Sequence, residues 1–276
     1  MKDILVSRED IRRLHPIFRG KYGEKIIDFG FKISALHIPN EIYNRSKHLN
    51  GPAFCKDVLD RLGIIRTVKN AGVLDDFKEK SFITVSNHAY GHIDGIAVIE
   101  TVGSRVENYR MMVNVFLSLI DTMSDNFISV NPMKNSDKKG ITYAGIRESF
   151  AHLKKGHSLG FFPAGAVSNM HLKRGRLIIE DQQWQPAALK IIQKAKVPVI
   201  PIHISGHNSW SFYFSKIFGW QVRNLRLCHE LYNKSGKEMV ITLGDPIMPR
   251  EFEQFEGNIP LLGEYLKGRT YLLGEK

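Results

Sequence analysis

Phe82-Ile83-Thr84-Val85-Ser86-Asn87-His88-Ala89-Tyr90-Gly91-His92-Ile93-Asp94-Gly95 runs from an apolar segment into a knot of Asn, two His and an Asp. Residues 82–85 read as a strand, and 96–102 as a helix that follows at once. Strand, tight turn and helix start is the unit from which an α/β sheet is built, and such sheets carry their chemistry at that turn. His is the side chain best suited to proton transfer near neutral pH, and a neighbouring carboxylate can orient it. His88 and Asp94 would lie about 120° apart on a continuous helix, so they meet only if the chain turns between them. Gly91 and Gly95 permit that turn, and the helix start adds a partly positive end.

Outward from this stretch, strand and helix patterns alternate. Strands fit 64–68, 110–115, 127–130, 158–162, 177–179, 197–204 and 239–244; helices fit 141–155 and a segment opened by Pro186. The expectation is an α/β fold: a mixed, mostly parallel sheet covered by helices. Before it, residues 1–63 read as a helical N-terminal lobe. Ser7 and Asp10 form a capping box, and 24–37 carries a broad apolar face with Lys21, Lys25 and Lys32 in or beside it. A helix from Pro52 stops at Gly63. The face over 24–37 fits core packing, or a lipid interface as a membrane-facing element. Residues 64–276 form the α/β domain.

The 276 residues carry 39 Lys and Arg against 28 Asp and Glu, a net charge of +11. That excess points to a polyanionic partner, such as an anionic membrane face or an acidic carrier protein, or else serves solubility alone. The basic residues are scattered and match no nucleic-acid motif, so nucleic acid is not expected as partner. Cys55 and Cys228 have no metal or redox spacing and fit a reduced compartment. No signal peptide or membrane-spanning run is expected.

Two further blocks stand out. In Leu159-Gly160-Phe161-Phe162-Pro163-Ala164-Gly165-Ala166-Val167-Ser168 a buried strand runs into a loop whose Gly165 lets backbone N–H groups approach a ligand closely. His171, Lys173, Arg174 and Arg176 follow, either a clamp for phosphate or carboxylate or a solvated basic loop. In Val197-Pro198-Val199-Ile200-Pro201-Ile202 the prolines predict an edge or irregular strand. A metal site made of His88, His92 and Asp94 is a separate reading, weakened because no distant third cluster of ligands is evident.

The three blocks together, in order and spacing, resemble the glycerolipid acyltransferase family, the 1-acylglycerol-3-phosphate acyltransferases and their relatives. The matching residues are Asn87-His88 with Asp94, Phe162-Pro163-Ala164-Gly165, and Val197-Pro198-Val199-Ile200-Pro201. The resemblance covers 64–245 and is strongest to the bacterial, hemolysin-like branch whose members O-acylate N-acyl amino acids to ornithine or glycine lipids. Asp181 with Trp184, and Gly206 with Asn208-Ser209, are similar to that branch as well.

The resemblance implies a glycerol-3-phosphate acyltransferase-like fold and an O-acyltransferase without metal or other cofactor. His88, oriented by Asp94, acts as general base on a hydroxyl of a lyso-type or monoacyl acceptor, either an N-acyl amino acid or a lysophospholipid. The hydroxyl attacks the thioester of acyl carrier protein or acyl-CoA. Asn87, Gly91, Phe162, Pro163, Ala164, Gly165, Lys173, Arg174 and Arg176 are the implied substrate-binding residues, with anionic membrane lipid as a partner. The expected place is the cytoplasmic face of the inner membrane, as a peripheral protein in lipid and phospholipid biosynthesis. Departures from the pattern are Ala164 in place of the usual Glu, Ala166 where the branch often has Glu, six positions from His to Asp, and Asn131 where an Arg is usual. A non-catalytic lipid- or carrier-binding protein of the same fold is the alternative they motivate; a metal-dependent hydrolase is another.

Overall fold

A computed structural model of the chain describes residues 7–9, 12, 19–20, 22–34, 37–114, 117, 120–130, 143–173, 175–218 and 220–275. Helices α1 (Gly23–Ser34), α2 (His37–Ser46) and α3 (Gly51–Arg61) come first. Strand β1 (Ile65–Lys69), strand β2 (Ile83–Ser86) and helix α4 (His92–Gly103) follow. Next are β3 (Arg110–Asn114), β4 (Phe127–Val130), α5 (Tyr143–Lys154), β5 (Leu159–Phe161), β6 (Asn169–Lys173) and β7 (Arg176–Glu180). The chain ends with α6 (Pro186–Ala195), β8 (Val199–Ile204), α7 (Trp210–Phe214), α8 (Trp220–Tyr232), β9 (Glu238–Leu243), α9 (Pro249–Glu253) and α10 (Ile259–Tyr271).

Seven strands form one sheet in the order β1-β9-β8-β2-β5-β3-β4. All neighbours are parallel except β8 and β9. This is the mixed, mostly parallel sheet expected from the alternating pattern. Strand residues alternate between two faces, and both faces of the central strands β8, β2 and β5 are dry, as a parallel sheet requires, while edge strand β1 is mostly exposed. Phe82, Met111, Val113, Ile200 and Ile202 join α3 and α4 in one core; Ile83, Val85, Met112, Leu159 and Phe161 join α5, α6 and α10 in the other. Pro52 sits in the first turn of α3, where its missing N–H costs nothing. That helix buries Phe54, Cys55, Val58 and Leu59, so residues on both sides of position 63 share one core. Cys55 is a free thiol, and burial pushes it far above its ordinary range. The side chain of Cys228 lies outside the described residues.

Several expectations are corrected. Strand β8 is not an edge strand: it lies between β2 and β9. Pro201 is tolerated because the antiparallel ladder is interrupted beside it. Val199 exchanges bonds with Ile247, whereas Ile202 pairs with Leu243, a register shift of one residue that marks a bulge. The helix after the first turn starts at His92, so Gly95 is helical and only Gly91 makes the turn. The basic loop after Phe162 is instead the β6–β7 hairpin, antiparallel and outside the main sheet. Of the segment 24–37, α1 covers residues up to Ser34 and α2 begins at His37; the side chains of Phe29, Phe31, Ile33 and Leu36 lie outside the described residues. Asp10 of the capping box, Lys21, and residues 131–142 with Asn131 lie outside the described residues. Among the described residues no helix is long and apolar enough to cross a membrane.

Candidate active site

Asp94 is the third residue of α4, and Gly91 is its N-cap, with φ 109° in the region that favours glycine. A Cβ on Gly91 would come within 3.0 Å of Leu227 Cδ2 and 3.3 Å of Val167 Cγ2. The turn carries the Asp94 carboxylate back over the helix start. There Oδ2 accepts from the N–H groups of Tyr90 at 2.8 Å and Gly91 at 2.9 Å, and lies 2.8 Å from His88 Nδ1. An oxygen already receiving two N–H donors is the acceptor, so Nδ1 donates and Nε2 keeps the lone pair. Asp94 is fully buried; the His88 side chain is 18% exposed. The imidazole lies flat on Phe162, ring centroids 4.1 Å apart and planes 13° apart. A buried carboxylate beside an oriented, partly exposed imidazole is the arrangement that general-base chemistry requires.

The backbone of His88 is held from the other side. Its N–H donates to Asp181 Oδ1 at 3.1 Å, and its carbonyl accepts from Ser168 N–H at 2.8 Å. Ser168 Oγ also donates to Asp181 Oδ1, and Trp184 Nε1 to Oδ2. Tyr271 Oη accepts the Asp181 N–H, and Lys267 donates to its carbonyl. Burial raises the Asp181 carboxyl above its ordinary range, against the lowering effect of its hydrogen-bond donors. The pairing of Asp181 with Trp184, noted in the sequence, therefore builds a bracket for the backbone of His88.

The remaining expected site residues divide. Asn87 is buried, and its amide both donates to Ile204 O at 2.9 Å and accepts from Ile204 N–H at 2.7 Å. That ties the end of β2 to β8. Phe162 packs on His88. Pro163 and Ala164 are buried, and their carbonyls accept from Gln185 N–H and from the amides of Gln182 and Gln185. Ala164, where the family usually has Glu, is fully buried in the core. Gly165 is exposed with φ 65°, and its N–H closes a turn onto Phe162 O.

Lys173 and Arg176 sit at the tip of the β6–β7 hairpin, five residues of extended chain, about 16 Å, beyond Ser168 and Asp181. His171 and Lys173 both reach Glu180 on the same hairpin face. Arg174 lies outside the described residues. His92 is exposed at the start of α4, and among the described residues no three His, Cys, Asp or Glu side chains come together as metal ligands.

A second network, built on Gly206, Asn208 and Ser209 and extended by Glu230 and Lys234, which the sequence did not single out, props the turn. Asn208 Nδ2 donates to Tyr90 O at 3.0 Å. Beyond it Ser209 donates through N–H and Oγ to Glu230, which pairs at 3.1 Å with Lys234. The Lys234 ammonium also donates to His207 O and lies 5.0 Å from the Tyr90 ring centre. Gly206, with φ 91°, is required because a Cβ there would overlap Tyr90 Oη.

The acyltransferase family model matches residues 49–276. The chain belongs to the acyltransferase family. The acyltransferase is similar to the lyso-glycine lipid O-acyltransferase of Bacteroides thetaiotaomicron, 26% identical over 244 residues that cover 85% of this chain and 84% of that protein. The enzyme of the same description from Phocaeicola vulgatus is 25% identical over 224 residues, covering 78% and 76%. Among solved structures, the 1-acyl-sn-glycerophosphate acyltransferase PlsC of Thermotoga maritima aligns over 95% of this chain and 92% of its own, with TM-score 0.51 and 18% identity. That likeness is one of fold. The glycerolipid acyltransferase assignment implied by the three sequence blocks stands.

Proposed function

We propose that this acyltransferase moves a fatty acyl group onto the hydroxyl of a monoacyl lipid, with His88 as general base and Asp94 as its orienting partner. Nε2 takes the hydroxyl proton as the oxygen attacks the thioester carbonyl of the donor. The new C–O ester bond forms, the C–S bond breaks, and the departing thiolate takes the proton back from the imidazolium. No acyl-enzyme is needed. The observation that carries this reading is the 2.8 Å contact between His88 Nδ1 and the buried Asp94 Oδ2, with Nε2 left as the basic nitrogen.

The names of the two bacterial relatives support a lyso-glycine lipid type of acceptor, an N-acylated amino acid bearing a free hydroxyl. The absence of a carboxylate at Ala164 fits an acceptor different from that of relatives carrying Glu there. The net charge of +11 favours an acidic acyl carrier protein as donor and attachment to the cytoplasmic face of the inner membrane. The test is transfer from acyl carrier protein and from CoA thioesters to N-(hydroxyacyl) glycine, N-(hydroxyacyl) ornithine and lysophosphatidic acid, with products read by mass spectrometry. O-acylation of the N-acyl amino acid is expected. Transfer to lysophosphatidic acid alone would replace the acceptor proposed here.

A further inference from the structure

Two exposed apolar faces lie beside the site and take no part in the chemistry above. The first is on the β6–β7 hairpin. Strand alternation puts Met170, Leu172, Leu177 and Ile179 on one side. Leu172 and Leu177 face each other across the ladder and are 70% and 61% exposed.

The second is the helical stretch formed by α7 and the 3-10 turn Ser215–Phe218. Phe212 and Tyr213 point into the protein, while Trp210, Phe214 and Ile217 are 51%, 55% and 80% exposed. Their spacing of four and three places them on one stripe. A soluble protein seldom leaves a Trp, a Phe and an Ile in such a row without a partner.

Arg223 of α8 joins the two faces. Its guanidinium donates to Asn169 Oδ1 at 2.5 Å and to the carbonyls of Val167 and Ser168 at the hairpin base, and lies 4.8 Å from the Phe212 ring centre. Cations outnumber carboxylates in both segments. The hairpin carries Lys173, Arg174 and Arg176 against Glu180, which pairs with Lys173, and residues 205–230 contain Lys216, Arg223 and Arg226 against Glu230, which is buried with Lys234. Apolar tips framed by cations, with aromatic side chains among them, match the boundary between anionic headgroups and acyl chains.

We propose that the β6–β7 hairpin and the Trp210, Phe214 and Ile217 stripe are the surface by which the enzyme seats on an anionic bilayer. Leu172, Leu177, Trp210 and Phe214 enter the headgroup boundary, and Arg176 and Lys216 meet lipid phosphates. This deepens the function proposed above and rests on its lipid acceptor. The hairpin base carries Ser168, which bonds to His88 O, so a seated hairpin brings the bilayer to the mouth of the site.

The test uses the full chain with vesicles of phosphatidylethanolamine and phosphatidylglycerol, and with vesicles of phosphatidylcholine alone. Co-sedimentation is read beside acyl transfer to an acceptor dispersed in detergent micelles. Wild type is expected to bind the anionic vesicles and to lose binding in high salt. The Leu172→Asp/Leu177→Asp and Trp210→Ser/Phe214→Ser variants are expected to bind at least about tenfold more weakly, with folding by circular dichroism and micellar transfer unchanged. Vesicle binding equal to wild type in both variants would overturn the surface. Intact vesicle binding with transfer lost only from acyl carrier protein would assign it to the carrier instead. Absence of micellar transfer in wild type, with vesicle binding lost in the variants, would contradict the function and leave the surface standing.

Discussion

The backbone N–H of His88 is held at 3.1 Å by the carboxylate of Asp181, a residue 93 positions further along the chain. The same carboxylate receives Ser168 and Trp184, so one buried group fixes His88, the loop after Phe162 and the approach to α6. Replacing Asp181 with Asn removes an acceptor from this bracket while keeping its volume. A loss of about 1–3 kcal/mol in stability is expected. A fall in kcat of roughly tenfold or more with little change in KM should accompany it, because a displaced base costs rate before binding. Urea unfolding and steady-state kinetics on the same preparation separate the two effects. A rise in KM alone would show that Asp181 serves substrate binding instead.

Asp94 receives two backbone N–H groups besides the imidazole. Asp94→Asn keeps the shape but favours the wrong His88 tautomer, as the analogous substitution does in hydrolase triads. The expected fall in kcat is on the order of 10²–10⁴. Retention of the wild-type rate would show that tautomer control does not matter here.

Gly91 supports the turn that returns Asp94 to His88. Gly91→Ala meets both a positive φ and the Leu227 and Val167 side chains. A destabilisation of about 1–3 kcal/mol is expected, together with loss of activity at temperatures where the variant is still folded. Thermal unfolding followed by circular dichroism, paired with an activity assay, checks it.

Glu230 is buried with Lys234. Burial alone would raise the Glu230 carboxyl, but the Ser209 donors and the Lys234 ammonium outweigh it and hold it below the ordinary range. A folded-state value below the unfolded one stabilises the protein above the unfolded value, about 4.3. That contribution is lost as pH falls through the folded value. The double variant Glu230→Gln/Lys234→Met should therefore lose less stability than wild type as pH drops below about 4. Urea midpoints measured across that range decide; parallel curves would show that the pair carries no acid sensitivity.

The strand, turn and helix over 82–103 were legible because the signals are local: an apolar run, a glycine and a helix-start carboxylate. The sheet followed from its alternating segments. The Asp181 bracket was visible only as a resemblance, since its partners lie between 3 and 93 positions away. Glu230 and Lys234 have the spacing of a solvent-facing helix pair, and nothing local indicates their burial. Of the hairpin, 177–179 is legible as a strand, whereas 171–176 reads as a basic loop because its cations mask a short alternation of Met170 and Leu172 with His171 and Lys173. Helix α10 went unread because Gly263 and Gly268 lower its intrinsic preference. Gly263 is explained by packing: a Cβ there would lie 2.8 Å from Leu189 Cδ1.

The central claim is that His88 Nε2 removes the acceptor proton. The most direct measurement is the single-turnover rate of acyl transfer to the hydroxylated N-acyl amino acid by wild type and His88→Ala, with donor binding measured on the same samples. The account predicts a rate lower by about 10²–10⁴ in the variant with donor affinity retained. A His88→Ala enzyme that turns over at the wild-type rate would contradict it.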